Sequence, residues 1–217
     1  MKGADGVTYT AYFLSSYTPV VNDNVEMVFL AGVPYVTKTG ATPAPAPPAP
    51  VGSSSTTTSS GTTPFAASDS ATYWSGGGWA SYGDTRYVYS GTYGGNTVNG
   101  AWFYGNGPTQ LQGRTINGGR VILGPRGGAG NFNAPAAVNL YTHSSASRPG
   151  GNVTTLNGPT SVVAQPWQGL MTYALTAAQA TDVVNGGGIA IFNGDYADFQ
   201  GVQLNAQSGT VSIDWSR

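Results

Sequence analysis

The side chains that could carry acid–base or nucleophilic chemistry are few. The chain has one histidine, His143, and no cysteine. A Ser-His-Asp triad needs a histidine as its base, and no G-x-S-x-G elbow accompanies His143. The histidine lies beside Tyr141 on a strand-like run, where a surface or packing role is the expected one. Metal sites built on histidine clusters or thiolates fail on the same counts. Asp195 and Asp198 are the one close pair of acids in the second half of the chain, within 193–199 (NGDYADF). They could hold a calcium ion with backbone carbonyls or cap a turn, and the turn is favoured. Glycoside hydrolysis needs two carboxylates placed across the scissile bond, and an i, i+3 pair in a loop does not fix that separation. The Gly-rich run 118–130 contains no G-x-x-x-x-G-K phosphate cradle. No catalytic residue, resident metal or cofactor is therefore expected, and a non-enzymatic role is.

Aromatic side chains are the richer resource. Trp74, Trp79, Tyr82 and Tyr87, with Tyr89 and Tyr93 close behind, crowd one Gly-rich stretch. Flat rings with a polar handle offer apolar area and a hydrogen bond together. Sugar rings stack their C–H faces on such surfaces while Asn, Asp and Arg take the hydroxyls. Trp74, Trp79, Tyr82, Tyr87, Asp195 and Asp198 are thus the candidate ligand-binding residues. The competing reading of Trp74, Trp79 and Trp102 is packing within or between sheets.

The elements that must position these residues follow from composition and punctuation. Charged residues make up 8% of the 217 positions, the formal net charge is −1, and 33 residues are glycine. No basic patch exists to track a phosphate backbone, which argues against nucleic-acid binding. No apolar run is long enough to span a bilayer, so membrane insertion is not expected. The opening MKGADG has no apolar core of a signal peptide. Residues 41–64 read as a linker. Its first part, ATPAPAPPAP, carries five prolines between Pro43 and Pro50. Such a run is stiff polyproline II, roughly 25 Å long over those residues at about 3.1 Å each. The Ser/Thr/Gly part that follows reads as a soft tether.

Three segments result: an N-terminal β anchor over 1–40, the linker over 41–64 and a domain over 65–217. In the first, 7–14 reads as a strand, and 25–30 with 33–38 as a hairpin about Ala31-Gly32. Tyr17-Thr18-Pro19 and Asn22-Asp23-Asn24 supply turn chemistry. Some forty residues with three strands cannot bury a core alone, so this piece is expected to add its strands to a partner or to copies of itself. In the second, 72–95 reads as edge strands and loops, and 101–104, 120–123, 171–175, 189–192 and 199–204 as strands. Val138, Leu140 and Thr142 share one face of a further strand, opposite Asn139, Tyr141 and His143. Val211, Ile213 and Trp215 share a face in the last. One helix is predicted over 177–185, with Thr176 and Gln179 as a capping box and Gly186 as its left-handed terminator. Residues 124–135 and 144–152 read as loops. The fold class is all-β: a small anchor, a Pro-rich linker, and an antiparallel, jelly-roll-like sandwich with one short helix.

The second domain resembles a β-rich module of minor tail proteins from long-tailed phages that infect actinobacteria. The features that carry the resemblance are Tyr73-Trp74 with the glycines after it, Trp102-Phe103-Tyr104-Gly105, 119–123 (GRVIL), 139–143 (NLYTH), Arg148-Pro149-Gly150, 188–191 (GIAI) and the closing 213–216 (IDWS). Together they span 72–216. The first segment also looks like the end of a small barrel in such proteins. The resemblance implies a virion component at the tail tip, released by lysis and so without need of a signal peptide. Its partners would be other tail proteins and a host cell-wall glycan, and a trimer is the expected copy number. Two other readings remain: a purely structural decoration of tail or capsid, and a cell-wall hydrolase, which the scarcity of acids and histidine disfavours.

Overall fold

The computed structural model describes residues 10, 12–13, 25–31, 33–38, 59–79 and 81–217. The expected turns at 17–19 and 22–24, and the linker as far as residue 58, lie outside the described residues. The chain divides into two units, Met1–Thr56 and Thr57–Arg217.

In the first unit, β2 (Val25–Leu30) and β3 (Val33–Lys38) form the expected antiparallel hairpin, with Leu30 opposite Val33 and Ala31 in the left-handed region at φ 51°. The described part of the strand expected over 7–14 is β1 (Tyr12–Phe13), which pairs in parallel with β3. Val36 is buried, whereas Tyr12 and Leu30 remain more than half exposed.

The second unit is an antiparallel sandwich. Its strands are β4 (Ser60–Phe65), β5 (Asp69–Trp74), β6 (Gly78–Trp79), β7 (Tyr87–Tyr93), β8 (Asn96–Phe103), β9 (Thr115–Leu123), β10 (Ala136–His143), β11 (Thr160–Ala164), β12 (Met171–Leu175), β13 (Gly188–Ile191), β14 (Ala197–Gln200) and β15 (Val211–Ser216). The larger sheet runs β11-β10-β13-β8-β5-β6, with β7 joined to both β8 and β14. The smaller runs β12-β9-β15-β4. Strand alternation explains how they close on each other. Val138 and Leu140 of β10 and Ile189 and Ile191 of β13 meet Val121 and Leu123 of β9 and Val211 and Ile213 of β15 in one core. The single helix, α1 (Ala177–Val184), adds Ala180, Val183 and Val184 to that core. Its capping box forms as expected: Gln179 N donates to Thr176 Oγ1 at 3.2 Å, and Thr176 N donates to Gln179 Oε1 at 3.0 Å. Gly186, at φ 91°, follows the helix end. Among the described residues no helix is long and apolar enough to cross a membrane.

Several boundaries differ from the sequence reading. The soft tether does not reach residue 64, because Ser60–Phe65 is an edge strand paired along its whole length with β15. The backbone N–H of Arg217 extends that ladder to the Ser59 carbonyl at 2.9 Å. β-Branched Thr62 and Thr63 suit a strand, and Pro64 is tolerated because an edge strand leaves one row of donors unpaired. The strand expected over 199–204 ends at Gln200, where Gly201 N turns away to the Arg86 carbonyl and Val202 N to Ser70 Oγ. The stretch 72–95 supplies interior strands as well as loops: β5 lies between β8 and β6, and β7 between β8 and β14. β11 and the short 3₁₀ turn Gly107–Leu111 were not expected from sequence.

One contact ties the sheets together. Trp102 of β8 is fully buried, and its Nε1 donates to Ser208 Oγ at 3.0 Å, just ahead of β15. The Tyr104 hydroxyl donates to the Gly209 carbonyl at 2.6 Å. Gly209 sits at φ 77°, and a Cβ there would lie 2.1 Å from Trp102 Cδ1. Gly209→Ala is therefore expected to cost about 1–3 kcal/mol by overpacking, read as a lower urea midpoint with an unchanged slope. A chain beginning at Thr57 should unfold cooperatively, whereas one beginning at Ala66 loses one of the two partners of β15 and should melt well below it. Equal melting temperatures would deny β4 a structural role.

Candidate functional site

Four tyrosines gather where β7 meets β14. The pairing of Ser90 with Ala197 brings Tyr196, in the loop before β14, against the end of β7. Gly91 makes this approach possible: its φ is 103°, and a Cβ would meet the Tyr196 backbone at 2.7 Å. The Tyr82 and Tyr196 hydroxyls are 2.8 Å apart and share a hydrogen bond. Tyr93 stacks on Tyr196 with centroids 5.0 Å apart and planes 26° from parallel. Tyr82 meets Tyr89 edge-on at 5.3 Å. Burial, and then the Tyr82 hydroxyl, push the Tyr196 phenol well above its ordinary range, so it stays a neutral donor and acceptor. Tyr93 is 60% exposed and forms the open edge of the cluster.

The expected aromatic cluster is divided by this geometry. Trp74 belongs to it, with its ring 5.9 Å from Tyr82 and pressed by the Gly76-Gly77 turn, where a Cβ would come within 2.7 Å of the indole. Tyr87 is peripheral, touching Tyr89 at 6.5 Å. Trp79 is not part of it. Its ring packs edge-on against Phe103 at 5.7 Å and Tyr73 at 5.3 Å, and its Nε1 donates to the Gly151 carbonyl at 2.8 Å. It fills a satellite core with Phe103, Val153 and Ala190, so packing is its role.

Tyr196 also forms one wall of a pocket of about 350 Å³, whose other walls include Asp195, Arg126, Asn131 and Pro135. Asp195 is held by a hydrogen bond from Ala137 N to its Oδ2 at 2.7 Å. Arg126 is buried and donates to three carbonyls, Ala134 at 2.6 Å, Asn131 at 3.0 Å and Ala164 at 3.3 Å. Its Nε has no partner within the protein. Asp198, expected beside Asp195 as a ligand group, instead points into the 124–135 loop. Its Oδ1 accepts from Ala129 N at 2.9 Å, and Gly127 lies so close that a Cβ would fall 2.4 Å from the carboxylate. Burial raises the Asp198 pKa, in keeping with a bracing role. The two acids therefore diverge, one to the pocket and one to the loop. Among the described residues, no three His, Cys, Asp or Glu side chains come together as metal ligands. The arrangement can stack rings and exchange hydrogen bonds with hydroxyls.

Sequence reasoning passed over Tyr196 and Arg126. Tyr196 stands between the two acids it was read with, and Arg126 is the only charged residue of the Gly-Pro loop over 124–135. Each was visible as the odd member of its segment.

Of the surface and packing roles expected for His143, it has the packing one: it is fully buried, because Phe103 and the bridge to Thr155 cover that end of β10. Its Nδ1 accepts from Ser145 N at 3.2 Å, which leaves Nε2 to donate to the Trp102 carbonyl at 3.2 Å. Burial lowers its pKa from 6.5 to about 4. The unfolded chain then binds a proton that the folded chain refuses, so stability is highest above about pH 6.5 and falls as pH drops to about 4. The full fall is about 3 kcal/mol at 1.36 kcal/mol per unit. Asp198 acts in the opposite sense above its ordinary value of 3.8. The comparison is therefore His143→Gln against wild type, and the variant should show a flatter loss of urea stability between pH 6.5 and pH 4. Parallel profiles would show that the histidine is charged when folded.

No protein-family model matches this chain, and no curated protein matches it.

Proposed function

We propose that the chain is a phage tail protein whose sandwich binds a glycan on the host surface without cleaving it. The observation that carries the binding half is the junction at Tyr196, where a stacked tyrosine pair with an exposed edge continues into a polar pocket. Carbohydrate ligands need this combination: a flat ring for the sugar's C–H face and fixed donors and acceptors for its hydroxyls. Asp195 is positioned by Ala137, and Arg126 by three carbonyls, so little side-chain freedom is lost when a ligand binds. The virion half is supported by the resemblance of 72–216 to tail modules and by the Pro-rich linker. On this reading the N-terminal anchor docks on other tail proteins, and several tethered copies, a trimer in the simplest case, raise weak single contacts to useful avidity.

The test is a titration of the full chain against host cell-wall polysaccharide and a glycan array. Tyr196→Ala and Asp195→Asn are each expected to weaken binding roughly tenfold, about 1.4 kcal/mol. Trp79→Phe should leave it unchanged. A wild-type chain that binds no glycan, or variants that bind as tightly as wild type, would remove the proposal.

A further inference from the structure

In the loop whose Gln168 carbonyl accepts from Arg126 N, one aromatic side chain is left open. Trp167 is 73% exposed, the most exposed large apolar side chain described. Its ring is nonetheless fixed, edge-on to Phe132 with centroids 3.8 Å apart and planes at 72°. Its backbone is in the left-handed region at φ 56°, a conformation that a bulky residue adopts only under strain and that glycine would adopt freely. The loop is held in that shape from both sides: Gln165 N donates to Gln168 Oε1 at 3.1 Å, and Arg126 N donates to the Gln168 carbonyl at 3.3 Å. A strained, rigid and solvent-facing tryptophan contributes little to the core, and strain of this kind collects at ligand sites.

This platform shares a wall with the pocket. Phe132 directly follows Asn131, a pocket residue, and the Arg126 guanidinium lies 5.8 Å from the Phe132 ring. Arg126 is 6% exposed, and its Nε has no acceptor in the protein. Carbonyls take three of the five guanidinium N–H hydrogens, so Arg126 keeps donor capacity where it lines the pocket. The pocket also presents opposite charges, Arg126 and Asp195. A ligand of either sign is repelled by one of them, whereas a neutral molecule rich in hydroxyls both donates to Asp195 and accepts from Arg126.

Given the glycan-binding reading on which this rests, we infer that the pocket and Trp167 are consecutive subsites for a neutral glycan chain, with one sugar seated at Tyr196, Asp195 and Arg126 and the next stacked on Trp167. The site reads a run of sugars rather than a single terminal one.

Calorimetric titration of the full chain with a ladder of neutral oligosaccharides, from mono- to hexasaccharides of hexose and N-acetylhexosamine, tests this, with uronic-acid versions alongside. In the wild type, affinity should rise roughly tenfold between one sugar and two or three, with the uronic acids weaker. Trp167→Ala should abolish that rise and leave monosaccharide affinity intact. Trp167→Gly should do the same while melting no lower than wild type, since glycine relieves the backbone strain; this separates loss of a subsite from loss of the fold. Affinity independent of chain length, or a Trp167→Ala variant that still gains with length, would overturn the inference and leave the pocket's role standing. Displacement of a bound oligosaccharide by a synthetic peptide of residues 41–50 would assign the platform to proline-rich chain and overturn it also. Failure of every sugar to bind would sink both this inference and the glycan-binding reading.

Discussion

Trp102 holds the two sheets of the sandwich in register. Its ring lies in the shared core, its indole N–H is bound to Ser208, and its carbonyl receives the His143 ring. Tyr104, two residues on, is bound to the Gly209 carbonyl. A fully buried indole needs a hydrogen-bond partner, and here that partner comes from the turn that leads into β15 of the opposite sheet. The need for the bond thus becomes a link between layers. Gly209 is fixed by the same contact, since any side chain would occupy the space of the ring.

That link sets the rest of the frame. With β8 fixed, β5, β7 and β13 pair along it, and β7 in turn receives β14. The second pairing places Tyr196 against Tyr82, 114 residues away in sequence. The loop over 124–135 is then closed from beneath by two buried charged residues that do not form an ion pair with each other. The Arg126 side chain gathers three carbonyls; the Asp198 carboxylate accepts from the Ala129 amide and its backbone carbonyl from the Gly127 amide. Both thereby satisfy backbone groups that a Gly- and Pro-rich loop could not pair within itself. In a chain with so few charges, these are spent on shaping one loop beside the pocket.

Much of the frame was legible in the sequence because its signals are local. The hairpin over 25–38 and the capping box of Thr176 and Gln179 each depend on residues within a few positions of one another. The inward faces of β10 and β15 show as plain alternation. β4 was not legible: its first four residues are small and polar, and what makes them a strand is the exposed edge of β15, some 150 residues later. The site was half legible. Composition pointed to Trp74 and Tyr82, but it could not separate them from Trp79, because which side of β5 and β6 a ring faces depends on the sheet around it. Tyr196 and Arg126 join the site only through pairings distant in sequence. Trp167 was hidden by the general rule that tryptophan is a core residue; its positive φ and open ring exist only in three dimensions.

The pairing of β4 with β15 leaves Ser59 and Arg217 hydrogen-bonded neighbours. At Ser59 the chain therefore enters the sandwich through an outer strand, beside Arg217. A pull applied to the chain at Ser59 first loads the ladder between those two strands, not the core. For a load applied there, the first structure to yield is one edge strand's row of backbone bonds.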